Sequence, residues 1–266
     1  MSNKIKGVSL FANVGIDEHY LKDANIEMKV SNELLEKRAD FYRHLYPEVN
    51  MICGDITNKK IFNEVVEAAK KEKCNLLIAT PPCQGMSIAG TMDASDPRNK
   101  LIKYVVKFAR SVNTIEHVLI ENVPGILKFK IKKDNGREIL IKDYIKKEFE
   151  LMGFNVRYEI LDAADFKTPQ HRRRAIFFMS KNGEWPTPLK SKRKTVEEAI
   201  GELPSLNPGE TSHIKYHVAK PHAERHIQWM KNTPTGKSAH ENQTNFPVKA
   251  NGKPIKGYTT TYKRME

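Results

Sequence analysis

Cysteines and long apolar runs are both scarce in this sequence. The 266 residues contain three cysteines and no Cys-x-x-Cys pair, which excludes a disulfide framework, argues against structural zinc, and fits a reducing cytoplasm. No stretch approaches the roughly 18 consecutive apolar residues of a membrane helix, and the charged N-terminus precedes no apolar signal core. A membrane-spanning or secreted protein is therefore excluded, and a cytoplasmic one is expected.

Positive charge, in contrast, is abundant. Lysine and arginine number 45 against 32 acidic residues, a net charge of +13, and 39% of the residues are hydrophobic, which is enough for a packed core. Residues 183–266 alone carry 14 basic and 8 acidic side chains. A positive electrostatic field of this kind attracts polyanions, nucleic acid above all. A generally lysine-rich composition would give the same excess of basic residues.

Apolar runs alternate with amphipathic segments from the N-terminus as far as Lys181. This alternation predicts an α/β fold, with a Rossmann-like, doubly wound and mostly parallel sheet. The predicted strands are 7–11, 26–32, 50–53, 76–79, 117–121, 155–161 and 174–179, and the predicted helices are a short one after Asp17 and 33–46, 61–73, 100–112 and 139–152.

The last third of the chain has a different composition. Eight of the 14 prolines lie there and apolar periodicity almost disappears, so we place a domain boundary between 1–182 and 183–266. One helix is predicted at 195–203, where Thr195 and Glu198 form a capping box, and the remainder is predicted to be turns and short strands. Four histidines are interpreted as solvated or phosphate-facing rather than as metal ligands: His213, His217, His222 and His226.

Small and acidic residues stand at the predicted carboxyl ends of the first three strands, where parallel sheets bind ligands. Phe11-Ala12-Asn13-Val14-Gly15 follows the first strand. Glu33 comes at the end of the second, near the offset of about 20 residues at which an acid accepts hydrogen bonds from ribose. Asp55 and Ile56 end the third strand, where they suit an adenine ring. Taken alone, each of these features could be a tight turn or an ordinary surface acid. The three features together favour an adenosine-type cofactor.

The fourth strand ends in Thr80-Pro81-Pro82-Cys83-Gln84-Gly85. Two consecutive prolines stiffen the backbone and so hold the following thiol in one place. A free thiol with a pKa of about 8.5 is a strong nucleophile, and neighbouring positive charge activates it further. A lone cysteine is more often an inert buried residue, which is the interpretation given to Cys53 and Cys74, whereas its position makes Cys83 a candidate nucleophile.

An acid and two arginines are predicted at the same edge of the sheet. Glu121 ends the fifth strand and is followed by a proline-stiffened turn. Gln170, Arg172 and Arg174 alternate along an extended segment, so their side chains share one side and are expected to point toward the Cys83 loop. An arginine run is usually a solvated face, but here it would surround one pocket together with a thiol and a carboxyl group.

These motifs, in this order, resemble those of the DNA (cytosine-5) methyltransferases over the part of the chain that precedes Lys181. Pro-Pro-Cys-Gln at 81–84 with Glu-Asn-Val at 121–123 is the most specific part. Amino-group methyltransferases of similar fold carry an aromatic residue where this chain has Cys83, so the thiol favours carbon methylation. The remaining matches are the loop at 11–15, the acid Glu33, Gly-Asp-Ile at 54–56 and Gln-x-Arg-x-Arg at 170–174.

The resemblance implies S-adenosylmethionine as the methyl donor, with S-adenosylhomocysteine as the product. It also implies that 1–182 is the catalytic and cofactor-binding domain and 183–266 a partial target-recognition domain. The cofactor-binding residues that it implies are Phe11, Ala12, Asn13, Gly15, Ile16, Glu33, Asp55, Ile56, Pro82 and Leu101.

The resemblance further implies how the base reacts. The Cys83 thiolate adds to carbon 6 of a cytosine, Glu121 stabilises the charge that develops on the ring, and Arg174 holds the carbonyl oxygen. Arg172 orients the loop or a phosphate. The base must leave the duplex to reach such a pocket, and 84–98 resembles the loop that closes over it. The DNA-binding residues that it implies are Gln84, Ser87 and Arg98.

The chain departs from the family in three respects. Asn13 stands where the family usually has Gly, a position at which Asn tolerates a positive φ better than most residues, and Ser9 replaces the Asp at the end of the first strand. The sequence also has no Arg-Glu helix and no closing Gly-Asn-Ala-Val-Pro segment. We therefore expect the larger subunit of a split enzyme, whose second protein subunit supplies these motifs, and a truncated chain is the alternative.

Double-stranded DNA is the expected substrate, with methylation protecting host DNA in a restriction-modification system. A tRNA cytosine-5 methyltransferase would have the same pocket residues, and a catalytically inactive DNA-binding relative would keep the fold. Retention of Cys83, Glu121 and Arg174 together argues against an inactive relative.

Overall fold

The computed structural model describes residues 5–82, 100–132, 136–242, 247–249 and 251–255. None of the helices in these ranges combines the length and the apolar character that crossing a membrane requires. Four of the predicted site residues lie outside the described residues: Cys83, Gln84, Ser87 and Arg98.

The chain divides into two compact units. The first consists of Met1–Asp162 and Arg173–Leu189, and the second consists of Ala163–Arg172 and Lys190–Glu266. The strands, in chain order, are β1 (Ile5–Leu10), β2 (Ile26–Glu33), β3 (Asn50–Cys53), β4 (Leu76–Ala79), β5 (His117–Asn122), β6 (Lys130–Lys132), β7 (Glu138–Leu140), β8 (Asn155–Asp162) and β9 (Arg173–Ser180).

A seven-stranded sheet forms the centre of the first unit, in the order β3-β2-β1-β4-β5-β9-β8. Neighbours among the first five strands of this order are parallel, whereas β9 runs antiparallel to both β5 and β8. The predicted mostly parallel α/β sheet is therefore confirmed. The helices are α1 (Glu36–Leu45), α2 (Lys59–Lys71), α3 (Leu101–Ser111), α4 (Ile141–Glu150), α5 (Val196–Ile200) and α6 (Glu224–Lys231).

Strand β4 shows that the sheet is covered on both faces. Its four residues are all buried, as in a strand whose two sides both face apolar layers. Leu77 and Ala79 pack into one apolar cluster with side chains of α2, α3 and α4, and Leu76 and Ile78 pack into a second cluster with side chains of α1. Alternate side chains of a strand point to opposite faces, so this strand joins both layers of the core.

Helix α2 shows how the sequence directs a helix onto the sheet. The Asn58 side chain accepts a hydrogen bond of 2.9 Å from the Lys60 amide and so caps the first turn. Four apolar residues at helical spacing are buried on one face, and each large side chain among them contributes about 1.5–3 kcal/mol relative to exposure. They are Phe62, Val65, Val66 and Ala69.

Strands β6 and β7 form a separate antiparallel hairpin that was not predicted from the sequence. The helix predicted at 139–152 begins only at Ile141, because Ile139 pairs with Ile131 across the hairpin. Each strand is three residues long, which is too short for a period of two to be recognised against a helical pattern.

The second unit contains one confirmed and one missed helix. Thr195 and Glu198 form the predicted capping box, with bonds of 3.0 and 2.8 Å, although α5 ends at Ile200. Helix α6 is a correction, since this segment was predicted to be turns and short strands. Trp229 is the one buried residue of this helix, so the segment has no repeated apolar stripe from which a helix could be predicted.

Candidate functional site

The carboxyl ends of β1, β2, β3 and β4 meet at one edge of the sheet, where a cleft of about 430 Å³ opens. Open parallel sheets bind their ligands at this edge. Seven of the ten predicted cofactor-binding residues line the cleft: Phe11, Asn13, Glu33, Asp55, Ile56, Pro82 and Leu101. The other lining residues are Asp17, Asn32, Leu34, Leu35, Arg38, Gly54 and Thr80.

The three remaining predicted residues do not line the cleft. Ala12 is buried and packs into the core beside α1. Gly15 lies against two tyrosines, and Ile16 is 74% exposed. These residues belong to the same loop as Phe11 and Asn13 but are not part of the cleft lining.

The backbone of this loop is left-handed at Phe11, Asn13 and Gly15, with φ values of 64°, 52° and 76°. Asn13 thus adopts the conformation for which the family uses Gly. Gly15 is required by space as well, because a Cβ atom there would lie 2.4 Å from a ring carbon of Tyr46 and 2.8 Å from one of Tyr42. The loop therefore has its shape fixed by local sterics before any ligand is considered.

Glu33 holds the loop to the end of β2. Its carboxylate is 4% exposed, and its two oxygens accept backbone hydrogen bonds of 3.0 Å each, from the amides of Asn13 and Leu35. The Arg38 guanidinium lies 3.7 Å from the same carboxylate. One acid thus ties three segments of the cleft wall together.

Glu18 forms a second buried polar group behind the loop, and no spacing in the sequence indicates it. The Tyr42 hydroxyl donates to the Glu18 carboxylate and lies 2.8 Å from the hydroxyl of Ser31. Tyr46 donates a 2.8 Å hydrogen bond to the carbonyl of Gly15. Burial raises the pKa of Glu18, and hydrogen bonds from Tyr42 and from a nearby serine oppose the rise only in part.

One part of the cleft wall is more apolar. Ile56 is 3% exposed, while Leu34 and Leu35 are 58% and 47% exposed. Asp55 accepts a 2.8 Å hydrogen bond from the Thr57 amide, which orients its carboxylate at the end of β3. Sequence reasoning missed Leu34 and Leu35, although an apolar pair directly after a strand-end acid in an otherwise polar segment was a usable signal. The wall suits one face of a planar ring.

A second set of residues lies at the next strand ends. The Arg174 Nε atom is 2.7 Å from Glu121 Oε1, so the predicted acid and arginine are paired. Asn122 is 1% exposed, and its side-chain amide donates a 2.9 Å hydrogen bond to the carbonyl of Pro81. This bond fixes the end of β5 to the Pro81-Pro82 turn, which immediately precedes Cys83 in the sequence.

Arg172 and Gln170 were predicted to point in the same direction as Arg174. Strand β9 begins at Arg173, so Arg174 belongs to the first unit, whereas Gln170 and Arg172 belong to the second. Both of these side chains are exposed.

The two described cysteines have weakly acidic thiols. Burial raises the pKa of the Cys74 thiol to about 12, and desolvation together with a hydrogen bond to Glu36 raises the pKa of Cys53 to about 11. Both stay protonated at neutral pH, so neither is an activated nucleophile.

Comparisons with known proteins agree with this arrangement. Residues 5–266 match the family of C-5 cytosine-specific DNA methylases. The chain is 45% identical over its whole length to the type II methyltransferase M1.HgaI of Avibacterium volantium, covering 75% of that protein. It is 30% identical over 76% of its length to M.AquIA of Picosynechococcus sp., covering 90% of that protein.

The fold is that of class I methyltransferases. The crystal structure of the S. pombe Dnmt2 methyltransferase matches with a TM-score of 0.56 and 19% identity, over 87% of this chain and 68% of that one. The chain spans only 59% and 52% of two further curated type II methyltransferases. On the family match and the identity to M1.HgaI, the chain belongs to the C-5 cytosine-specific DNA methylases.

Proposed function

We propose that this protein transfers a methyl group from S-adenosylmethionine to carbon 5 of a cytosine that is flipped out of a specific double-stranded DNA sequence. The observation that carries the proposal is the ion pair between Glu121 and Arg174, held at the sheet edge beside the Pro81-Pro82 turn. A carboxyl group and a guanidinium at this separation can read two neighbouring polar edges of one pyrimidine. The type II relatives favour a role in a restriction-modification system.

The cleft suits the proposed cofactor in size and in chemistry. Its volume of about 430 Å³ lies within the range of small-molecule sites. Glu33 would accept hydrogen bonds from ribose hydroxyls, Asp55 would accept one from an adenine amino group, and Leu34 with Ile56 would cover the ring faces. When bound, S-adenosylmethionine supplies an electrophilic methyl group.

We assign the nucleophile to Cys83 on the strength of the sequence motif. Its thiolate sulfur would bond to carbon 6 of the cytosine, which makes carbon 5 nucleophilic; after methyl transfer, loss of the carbon 5 proton releases the thiolate. Glu121 would hydrogen-bond at ring nitrogen 3 and the amino group and stabilise the charge that develops there. Arg174 would donate to the carbonyl oxygen at position 2. Hydrogen-bonding groups placed in advance at a developing charge contribute about 10²–10³ to kcat each.

We assign contacts to the DNA backbone to four residues of the sequence motifs. Arg172 would bind a phosphate or orient the loop, and Gln84, Ser87 and Arg98 would contact the DNA around the extruded base. Extrusion costs a few kcal/mol of lost stacking and pairing, so contacts of this kind are needed to offset it.

The proposal includes a second polypeptide that carries the remaining family motifs. The chain spans 75% of M1.HgaI and 90% of M.AquIA. Co-purification with the product of the neighbouring gene tests this part. Full methylation by this chain alone would contradict it.

The central test combines bisulfite sequencing with covalent trapping. DNA from cells that express the chain, with and without the neighbouring gene, is expected to contain 5-methylcytosine at one short recognition sequence. A duplex with 5-fluorocytosine at that site should form a stable conjugate with the wild type and with Cys53→Ala, but not with Cys83→Ala. Absence of any conjugate, or methylation of tRNA in place of DNA, would overturn the proposal.

A further inference from the structure

The charge of the first unit is concentrated in one segment. Residues 128–147 contain eight basic and three acidic side chains, a net charge of +5, and the first unit as a whole carries 29 basic against 24 acidic side chains, which is also a net of +5. Within the segment, Lys128, Lys130 and Lys132 occupy alternate positions and are all exposed. We call these three residues the lysine ridge.

The ridge is held rigidly by the residues between the lysines. Ile131 is 5% exposed and belongs to the main core cluster, against which Phe129 is also packed. The Phe129 carbonyl accepts a 2.8 Å hydrogen bond from the Ile141 amide at the start of α4. Because successive side chains of a strand point to opposite sides, anchoring Ile131 inward directs Lys130 and Lys132 outward. Lys128 ends the preceding 3-10 turn and is exposed as well.

The ridge also lies next to the proposed reaction centre along the chain. Strand β5 ends at Asn122, and one 3-10 turn at Pro124–Leu127 leads directly into the ridge. Ile126 in this turn is fully buried. The same rigid connection that positions Glu121 therefore positions the lysines at the carboxyl edge of the sheet.

We propose that the lysine ridge binds the phosphates of one strand of the double-stranded DNA whose base is methylated. This inference rests on the proposed function. Lys130 and Lys132 are alternate residues of β6 and are therefore about 6.6 Å apart along the strand, which matches the axial rise of about two nucleotides of one DNA strand. The three ammonium groups, as flexible point charges, suit contacts that fix position without reading sequence.

Existing ion pairs do not compete strongly with this role. Lys130 lies 3.7 Å from Glu138, and both side chains are more than half exposed. An exposed pair of this kind contributes about 0–1 kcal/mol, so a phosphate can replace the carboxylate. No comparable row of three outward lysines alternating with buried apolar residues occurs on the other described strands of the first unit.

The test is the salt dependence of DNA binding by the full chain, together with its companion polypeptide where activity requires one. The triple variant Lys128→Gln, Lys130→Gln, Lys132→Gln is compared with the wild type on a fluorescent 30-base-pair duplex by anisotropy. Each lost phosphate contact lowers the slope of log K against log salt by about 0.9, so the slope should fall by about 2–3. Between 50 and 200 mM salt the wild type should then lose about 12- to 40-fold more affinity than the variant.

A matched control removes three lysines from the opposite edge of the sheet. Helix α2 runs from that carboxyl edge back to the amino edge, so Lys70, Lys71 and Lys73 lie far from the proposed DNA path. Their triple Gln variant should keep the wild-type slope. Equal losses in both variants would show a diffuse charge effect and overturn the proposal.

Two further outcomes are decisive. If the wild type methylates cytosine in DNA but the ridge variant keeps its slope, the ridge proposal fails while the proposed function stands. If the ridge variant shows a reduced salt dependence of binding to an RNA hairpin but not to the DNA duplex, the assignment of DNA as the ligand is wrong. Should the triple variant melt earlier than the wild type, the three single variants replace it, each with an expected slope change of about 0.9.

Discussion

Replacing Glu33 with Gln tests whether the cleft loop is held by a charge or merely by shape. The change keeps the size of the side chain and removes one acceptor. Both carboxylate oxygens accept from backbone amides at 3.0 Å, one from Asn13 and one from Leu35. A glutamine can satisfy only one of these donors, because its NH₂ group then faces the other amide.

The magnitude follows from the burial of the site. Hydrogen bonds to a charged acceptor contribute about 1.5–3 kcal/mol each, and a buried donor without a partner costs about 1–3 kcal/mol. Since Glu33 is 4% exposed, we expect Glu33→Gln to lose about 2–4 kcal/mol in total. This loss is shared between the stability of the fold and the affinity for the cofactor, and with about half of it in the affinity the Kd should rise about 5- to 30-fold.

The assay is calorimetric titration with S-adenosylhomocysteine, with urea unfolding of the same preparations. Glu64→Gln makes the same chemical change on an exposed position of α2 and serves as the control. Binding within twofold of the wild type, even with a lower unfolding free energy, would refute the claim that Glu33 organises the loop for the ligand.

Three further predictions concern the groups around the site. Burial raises the pKa of Glu18 above its usual 4.5, so the unfolding free energy of the wild type should fall as the pH rises above that value. Glu18→Gln cannot ionise and should not show this fall. The difference in unfolding free energy between the two proteins, measured by urea unfolding from pH 4 to 8, should change by at most about 1.4 kcal/mol per pH unit. Asn122→Ala leaves the buried Pro81 carbonyl without its partner, so we expect a loss of about 1–3 kcal/mol in unfolding free energy and a lower kcat. Arg174→Lys keeps the charge but loses the planar guanidinium beside Glu121, so kcat should fall at least about 10-fold with cofactor affinity unchanged; a kcat within twofold of the wild type would contradict this.

The parts of the fold that the sequence predicted are those with a repeated local pattern. Strand β4 is predicted and observed at the same four residues, because Leu76 to Ala79 form a continuous apolar run after polar neighbours. Helix α6 was missed because a single buried residue, Trp229, stabilises it. Periodicity detects an apolar stripe, whereas one anchoring side chain leaves no period to detect.

Some residues of the candidate site could likewise be predicted from the sequence, and others could not. Glu33 and Asp55 could be placed because strand ends of a parallel sheet meet at one edge, which is a property of topology. The contact between Glu18 and Tyr42 joins residues 24 positions apart through burial alone, and nothing in their spacing predicts it. Arg172 was predicted to point toward the site because it alternates with Gln170 and Arg174. It belongs to the second compact unit, however, and the chain enters the first unit directly after it.

The order of the sheet has a consequence for synthesis on the ribosome. The described residues that line the cleft all lie at or before Leu101, whereas Arg174, which pairs with Glu121, is on an antiparallel strand that begins only at Arg173. At about 5–20 residues per second, Arg174 is added about 4–15 s after Leu101. The nascent chain thus contains the described lining of its cleft well before it can form the pair between Glu121 and Arg174.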